Sequence, residues 1–245
     1  MMNIIYEDNH IIVVEKPVNV PSQADNTGDK DMLTLIKEYI KEKYNKPGNV
    51  YLGLVHRLDR PVGGIMVFAK TSKAASRLSE SIRTNEMHKT YLAVVNGHLE
   101  DGVFEDYLFK DETLNTTKVV SKDKHGAKFA RLTYKVLEEV DDLALVQIAL
   151  ETGRHHQIRV QFSSRGHSLY GDQKYGKGPK NTQIALWAYK LEFKHPVKDE
   201  VMCFECMPSA IGVWSKFVWK SAICINIYFY EYTILIDLWF YFFSF

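Results

Sequence analysis

Short apolar runs rich in β-branched residues, each bounded by turn residues, most constrain what this 245-residue chain can fold into. Such runs are typical of strands, and they occur at residues 11–14, 65–69, 91–95, 132–137, 143–150 and 184–193. They outnumber the segments with helical spacing, and several are close enough in sequence to pair antiparallel. The pattern fits an α+β or a mixed α/β domain. Of the two we expect α+β, with a mixed, mostly antiparallel central sheet and flanking helices.

Helical spacing of apolar residues marks a smaller part of the chain. Residues 32–46 carry apolar side chains at the intervals of a helix that buries one face. A second helix is predicted for residues 72–83, because Thr71 or Ser72 can cap its first turn. Residues 158–164 fit either a helix or a strand, and the pattern alone does not decide between them.

Composition favours an ordinary soluble globular protein in a reducing compartment. Hydrophobic residues make up 46% and charged residues 25%, which argues against disorder. Cys203, Cys206 and Cys224 are too few and too late in the chain for a disulfide framework. The first residues lack the basic start and apolar run of a signal peptide. We therefore expect a cytoplasmic protein.

Net charge predicts little, but the distribution of charge is uneven. The formal net charge is +1. Basic side chains cluster in one segment at Lys110, Lys118, Lys122, Lys124, Lys128 and Arg131, and in another at Arg165, Lys174, Lys177 and Lys180. Such clusters could neutralise the phosphates of a nucleic acid. They could equally form a solvated face, and charge alone favours that alternative.

One acid, Asp59, stands between Arg57 and Arg60 in a loop that joins two apolar strand candidates. Adjacent cations favour the ionised form of a carboxylate, which suits a nucleophile more than a proton donor. Pro61 and the pair Gly63-Gly64 restrict the backbone, so the loop could aim the carboxylate into a cleft. From these residues alone, an ion pair within a surface loop remains the simpler alternative.

Hydrogen-bond donors gather directly after the strand candidate 143–150. They are Arg154, His155, His156, Gln157 and Arg159, and a loop could present them to a phosphate or a carboxylate. On a strand, successive side chains alternate between faces, so the adjacent histidines could not share one metal ion. We therefore expect hydrogen-bonding or structural roles for both histidines.

An aromatic residue accompanies a cation at Lys89 and Tyr91. An exposed tyrosine could stack on a nucleobase. The alternative is a tyrosine that simply opens a core strand.

Taken together, these segments resemble the RluA-type pseudouridine synthases in order and spacing. The matching motifs are HRLD at residues 56–59, K-x-Y at 89–91 and TGRxHQIR at 152–159. Smaller agreements occur at residues 15–17, 68–71, 166–167 and 171–176. The likeness covers residues 4–208, and the combination is highly specific although each motif alone would be weak.

The resemblance implies a fold, an activity and a set of roles. It implies the pseudouridine synthase catalytic fold in residues 1–208, and an isomerase that converts uridine in ribosomal or transfer RNA to pseudouridine without cofactor or metal. Asp59 would attack the uridine, Tyr91 would pack on the flipped base and help remove the carbon-5 proton, and Arg159 would pair with Asp59. The residues expected to bind the RNA are Arg57, Arg60, Lys89, Arg154, His156 and Gln157. Arg154 is a second candidate for the pairing with Asp59, and no obligate protein partner is evident.

The chain departs from the family in three places. Pro61-Val62-Gly63-Gly64 stands where the family usually has Asp-Thr-Ser-Gly, so the loop contacts would differ. The catalytic domain is expected to begin almost at residue 1, without the S4-type domain that precedes it in many relatives, so RNA recognition would rest on the catalytic domain itself. Residues 209–245 form an atypical aromatic and apolar extension, which we expect to lie outside the conserved fold. Glu231 and Asp237 argue against a membrane anchor there, and a frameshifted or read-through end is favoured over it.

Other functions fit less well. Cys203 and Cys206 form a single C-x-x-C without the His-x-Glu of a zinc deaminase, so no metal site is expected. A non-catalytic RNA-binding module of the same fold is the main alternative, but binding alone would not need Asp59. A hydrolase would need a second acid at a motif-like position, and none stands out.

Overall fold

A large mixed sheet forms the centre of the protein, of which the computed structural model describes residues 2–178 and 181–218. Among the described residues the sheet has eleven strands, and their pairs are antiparallel except β4 with β10, which confirms the predicted fold class. The strands are β1 Ile4–Glu7, β2 Ile11–Lys16, β3 Gly53–Leu54, β4 Gly63–Ala69, β5 His88–Asn96, β6 Gly102–Asp111, β7 Thr116–Val120, β8 Lys128–Val140, β9 Leu143–Leu150, β10 Leu186–Lys194 and β11 Val201–Glu205. Their order is β1-β2-β4-β10-β5-β9-β8-β6-β7, with β3 beside β4 and β11 beside β10.

Two helices cover opposite faces of the same strands. Helix α1, Met32–Lys43, packs with Ile12 and Val14, whereas α2, Ser72–Arg83, packs with the alternate residues Ile11 and Val13. Because successive strand residues point to opposite faces, both faces of β2 are buried. This explains why β2 and β4 appear in the sequence as continuous apolar runs instead of alternating ones.

The helix boundaries follow local capping chemistry. The Asp31 side chain accepts the Thr34 N–H at 2.7 Å and begins α1, and Thr71 accepts the Ala74 N–H at 3.2 Å and begins α2, as predicted. Helix α1 ends at Lys43, three residues before the predicted end. Asn45 there has a positive φ of 46°, which ends the helix.

Residues 157–163 form helix α3, Gln157–Ser163, which settles the choice that the sequence left open. All but the last of its residues are buried, so the helix lies against the sheet and not on the surface. It contacts β6 and β7, two strands that the sequence analysis did not predict. In β6 the charged residues Glu105, Asp106, Lys110 and Asp111 interrupt the alternating pattern, and β7 is only five residues long.

The pair Gly63-Gly64 is explained by close approach of β10. Trp187 lies opposite Gly63 and Ala188 opposite Gly64 in the parallel pairing of β4 with β10. A Cβ atom on Gly63 would meet the Trp187 ring, and one on Gly64 would meet the Ala188 backbone, while Gly64 also has a φ of +119°. These glycines bring the loop that carries Asp59 against the centre of the sheet.

The described part of the predicted extension packs on the domain. A 3-10 helix, Gly212–Lys216, follows β11, and Phe217 is buried in a cluster with Trp187 and Tyr189. The predicted boundary at residue 208 stays a prediction, and the aromatic segment 221–245 lies outside the described residues. Within the described chain, no helix has the length and apolar character to span a bilayer.

Candidate active site

Two cavities meet at Asp59. The smaller, of about 530 Å³, extends from the Asp59 loop towards β5 and the start of α3; the larger, of about 830 Å³, extends towards the loop after α3. The residues that line both are Arg57, Leu58, Asp59, His156 and Arg159. The structure thus brings Asp59 and Arg159, which are 100 residues apart in the chain, to one point.

The cation that reaches the Asp59 carboxylate comes from α3. Arg159 Nη1 donates to Asp59 Oδ2 at 3.3 Å, and the Asp59 side chain keeps 29% of its surface exposed to the cleft. The expectation that Arg57 and Arg60 both favour the ionised form of Asp59 is therefore corrected for Arg60. Arg60 turns away and binds Asp25 at 3.2 Å, Thr27 at 2.7 Å and Asp29.

The backbone of the Asp59 loop explains this change. Val62 N donates to Asp59 O at 2.9 Å, so residues 59–62 form a turn. Side chains on a turn diverge, and Arg60 is carried to the outer side of the loop. Arg57 is exposed and lies on the edge of both cavities. Arg60 lines only the larger cavity.

Arg159 is itself held by a second carboxylate. Its Nε and Nη2 donate to Oδ2 and Oδ1 of Asp172 at 2.8 and 2.7 Å, and the Asp172 side chain has no exposed surface. Burial opposes the charge of Arg159, but the bonds to Asp172 and Asp59 raise its pKa. Asp172 belongs to a segment that the sequence analysis noted only as a minor agreement, so its part in the site was missed.

Lys16 is a second residue whose part was missed. Its side chain is fully buried at the end of β2, where Nζ donates to Pro17 O at 2.9 Å and to Arg60 O at 3.0 Å. Burial lowers the pKa of Lys16 to about 7, against the attraction of the nearby Asp59. The ammonium thus ties the backbone beside Asp59 to β2, a contact that only the tertiary structure reveals.

Tyr91 combines the two alternatives that the sequence left open. It is 7% exposed and belongs to the main core, yet it also lines the smaller cavity. Burial and the charge of Asp59 raise the pKa of Tyr91, so its hydroxyl stays protonated. Lys89 lines the same cavity, and burial lowers the pKa of Lys89.

The paired histidines lie in a turn, so the strand on which their alternation was predicted does not exist there. Their rings stack at 3.7 Å between centroids, and His156 has a left-handed backbone with φ 52°. His155 Nδ1 bonds the Thr117 hydroxyl at 2.8 Å, while His156 Nδ1 bonds the Tyr175 hydroxyl at 2.7 Å. The expected hydrogen-bonding roles are present, although the reason given for them was wrong.

His156 also faces the carboxylate, with Nε2 3.5 Å from Asp59 Oδ2. Burial and the charge of Arg159 lower the pKa of His156 to about 2, so its ring is neutral. The Tyr175 oxygen accepts the Thr117 N–H at 2.8 Å and lies 2.7 Å from His156 Nδ1. When the Tyr175 hydroxyl donates to Nδ1, the neutral His156 ring carries its proton on Nε2, facing Asp59.

Gln157 and Arg154 line the smaller cavity but have protein partners. The Gln157 amide accepts from Thr152 and from Arg154 N and donates to Arg131 O. It therefore holds the loop that carries Arg154. Arg154 is exposed and donates through Nε to Phe129 O at 2.8 Å. Of the two arginines considered as partners of Asp59, it is Arg159 that donates to the Asp59 carboxylate.

Both arginines of the basic clusters noted in the sequence are paired with acids. Arg131 pairs with Glu105 and Glu151, and Arg165 pairs with Asp106. The members that line a cavity are Lys110 and Lys174, while Lys180 lies outside the described residues. The cations of the cleft are instead scattered in sequence and come together only in the fold.

In the described part of the chain, no three or more His, Cys, Asp or Glu side chains come close enough together to hold a metal ion. Cys203 is exposed on β11, and burial raises the pKa of the Cys206 thiol to about 12. His195, upstream of this C-x-x-C, bonds Asp8 through Nε2 at 2.9 Å.

Comparison with known proteins identifies the family and its fold. Residues 10–164, more than half of the chain, match the family model described as RNA pseudouridylate synthase. An uncharacterized RNA pseudouridine synthase of Bacillus subtilis is 34% identical over 210 residues, covering 83% of this chain and 68% of the relative. The chain belongs to the RNA pseudouridylate synthase family. It is therefore an isomerase that acts on uridine in RNA, and the RluA-type resemblance is confirmed.

Other relatives of the family differ in the RNA that their names specify. A ribosomal large subunit pseudouridine synthase D of Zymomonas mobilis is 31% identical, covering 90% of this chain and 74% of the relative. A tRNA pseudouridine synthase C of Vibrio cholerae is 27% identical, covering 92% of this chain and all of the relative. The human RNA pseudouridylate synthase domain containing 4 superposes with a TM-score of 0.71 at 23% identity, covering 84% of this chain and 89% of that one. This last likeness supports the fold alone.

Proposed function

We propose that this family member isomerises uridine in ribosomal or transfer RNA, with Asp59 as the nucleophile. The observation that carries the proposal is the position of the Asp59 carboxylate. It is open to the junction of two cavities and bonded on its inner side by the buried Arg159. A nucleophile needs both features, since it must reach the substrate and be fixed in direction before it attacks.

The balance of the reaction fits these groups. The bond from the sugar to the ring nitrogen breaks, a bond from the sugar to ring carbon 5 forms, and the carbon-5 hydrogen leaves as a proton while the nitrogen gains one. Nothing is oxidised or reduced. Asp59 can hold the sugar covalently while the detached base turns, which divides one difficult step into easier ones.

Tyr91 is proposed to contact the base in the smaller cavity. At about 530 Å³ this cavity falls within the range of small-molecule sites, ~300–1,000 Å³. A uridine must leave its stack before its ring can be detached, and an aromatic wall compensates for the lost stacking. Burial keeps the Tyr91 hydroxyl protonated. This hydroxyl can therefore take part in proton transfer only by exchanging a proton with the nucleobase beside it.

The RNA itself is proposed to lie across the cleft edge. Arg57, Arg154 and Lys174 are exposed there and can contact phosphates without reading sequence, while Lys89 and His156 face the cavity interior. Arg60 and Gln157, which were expected to bind substrate, support the loops on either side through their protein partners. Residues 1–208 are proposed as the catalytic unit, acting in the cytoplasm where RNA is accessible.

The deciding experiment is the substitution Asp59→Asn. It keeps the size of the side chain but removes the nucleophile, so pseudouridine formation should fall by about 10⁴-fold or more. RNA binding and thermal stability should change little. Asp141→Asn, an exposed acid in the turn after β8, is the matched control and should keep full activity.

The RNA substrate is found by mapping pseudouridines in total RNA from cells with and without the gene. A site that disappears with the gene, and is restored by the wild-type chain but not by Asp59→Asn, identifies the target. Near-normal turnover by Asp59→Asn on that RNA would overturn the assignment of the nucleophile.

A further inference from the structure

The buried carboxylate of Asp172 accepts hydrogen bonds both from the backbone of its own loop and from the side chain of Arg159. Its Oδ1 accepts from Arg159 Nη2 at 2.7 Å and from the backbone N–H groups of Lys174 and Tyr175 at 2.9 and 3.1 Å. Its Oδ2 accepts from Arg159 Nε at 2.8 Å. Oδ1 thus stabilises the turn at residues 172–175, and the two oxygens together bind one edge of the Arg159 guanidinium.

The two hydrogen bonds to Asp172 determine the direction in which the remaining nitrogen of the Arg159 guanidinium points. A guanidinium is planar, and two parallel hydrogen bonds to one carboxylate fix its plane and its rotation. With Nε and Nη2 of Arg159 held by Asp172, Nη1 is left to face Asp59 at 3.3 Å. The direct contact between Arg159 and Asp59 is long, so the geometry is set by Asp172 and not by Asp59.

A second carboxylate–arginine pair in the same region does not direct its arginine into either cavity. Arg165, just beyond the end of α3, forks on Asp106 at 2.9 and 3.1 Å. Its side chain is 33% exposed, against 7% for Arg159, and it lines neither cavity. The Arg165 pair ties α3 to β6, whereas the Arg159 pair points into the reaction site.

We propose that Asp172 is a positioning residue for the isomerisation, which acts by aiming Arg159 at Asp59. The inference rests on the proposed role of Asp59 as nucleophile. Asp172 supplies the permanent counter-charge of Arg159 and occupies two of its nitrogens. The guanidinium can then orient the Asp59 carboxylate through a single nitrogen, Nη1. Asp59 then keeps one oxygen for attack on the uridine.

The substitution Asp172→Asn tests this role with little change in shape. The amide oxygen of the new side chain can still accept from Lys174 N, Tyr175 N and Arg159 Nη2, but its amide nitrogen would face the Arg159 Nε–H. We expect kcat to fall by about 10²-fold, because a small misplacement of a positioning group has an effect of that order. KM for the RNA should stay within about threefold, since Asp172 does not touch the RNA.

A double-mutant cycle separates positioning from a general structural role. Arg159→Lys removes the fork, so adding Asp172→Asn to it should lower kcat less than about twofold further if Asp172 acts through Arg159. Multiplying losses in kcat would overturn the proposal, and so would a wild-type kcat in Asp172→Asn. Asp106→Asn, which breaks the exposed fork instead, should leave kcat unchanged.

A variant that fails to fold does not end the test. Asp172→Glu keeps the charge and the fork but shifts Arg159 by about one methylene, so it should fold and still lose about tenfold in kcat. A fully active Asp172→Glu variant would overturn the proposal. The wild-type chain and Asp59→Asn are assayed on the same RNA. An inactive wild type or an active Asp59→Asn refutes the proposed function, whereas an active Asp172→Asn beside an inactive Asp59→Asn refutes this inference alone.

Discussion

The floor and the rim of the cleft carry charge in different ways. We group in the floor Asp59, Tyr91 and Arg159, which line the cavities, with Lys16 and Asp172, which are buried beside them. The rim consists of Arg57, Arg154 and Lys174. Floor residues other than Asp59 are buried, and its charged groups have partners inside the protein. Rim cations are exposed. Charges interact strongly where water is excluded and weakly where water and salt screen them. Floor substitutions should therefore change kcat, and rim substitutions should change RNA binding.

The comparison is tested most severely at Tyr91, a neutral floor residue. Tyr91→Phe keeps the aromatic wall of the cavity and removes only the hydroxyl. If that hydroxyl takes part in moving the carbon-5 proton, kcat should fall by about 10²–10⁴-fold, the usual range for a general acid or base. Steady-state turnover on the identified RNA measures this effect.

Tyr134→Phe is the matched control for Tyr91→Phe. Tyr134 is similarly buried at 8% exposure, but it packs on Phe104 and Phe162 and lines neither cavity. It should keep its kcat. A Tyr91→Phe variant with wild-type turnover would show that Tyr91 contributes only its ring.

Lys16 should show the next largest effect, through both activity and pH dependence. Lys16→Met leaves Pro17 O and Arg60 O without their donor and loosens the backbone beside Asp59, so we expect kcat to fall by about tenfold. The pKa of Lys16 is about 7 in the folded chain and about 10.4 in an unfolded one.

The sign of the pH effect follows from that difference. Between pH 7 and about pH 10 the unfolded chain binds more protons at Lys16 than the folded chain does, so the free energy of unfolding rises with pH. The rise from one group is at most about 1.4 kcal/mol per pH unit. Denaturant unfolding of wild type and Lys16→Met from pH 7 to pH 9 measures it. Equal slopes in the two proteins would mean that Lys16 stays charged when folded.

The sequence revealed the floor unevenly. Helix α2 and its cap, and strands β4, β5, β9 and β10, follow from local patterns that tertiary packing reinforces. Asp59, Tyr91 and Arg159 were predicted as site residues through a family resemblance, since no local pattern marks a contact across 100 residues. Lys16 and Asp172 were overlooked because a lysine or aspartate in a sequence is normally exposed. Their importance comes from burial, which only the fold determines.

The rim should respond with the smallest effect, in binding and not in chemistry. The double variant Arg57→Ala with Lys174→Ala removes two exposed cations that line the larger cavity. We expect KM for the RNA to rise by several-fold at low salt with kcat unchanged. Each lost phosphate contact should reduce the slope of log affinity against log salt by about 0.7–0.9.

Salt dependence is the measurement that distinguishes rim from floor in this double variant. Lys41→Ala, on the exposed side of α1 and away from both cavities, is the control and should keep the wild-type slope. If the double variant instead loses kcat and keeps its salt slope, Arg57 or Lys174 acts on the reacting nucleotide and belongs with the floor. The boundary between the two regions would then lie further out than exposure indicates, because bound RNA would itself exclude water from the larger cavity.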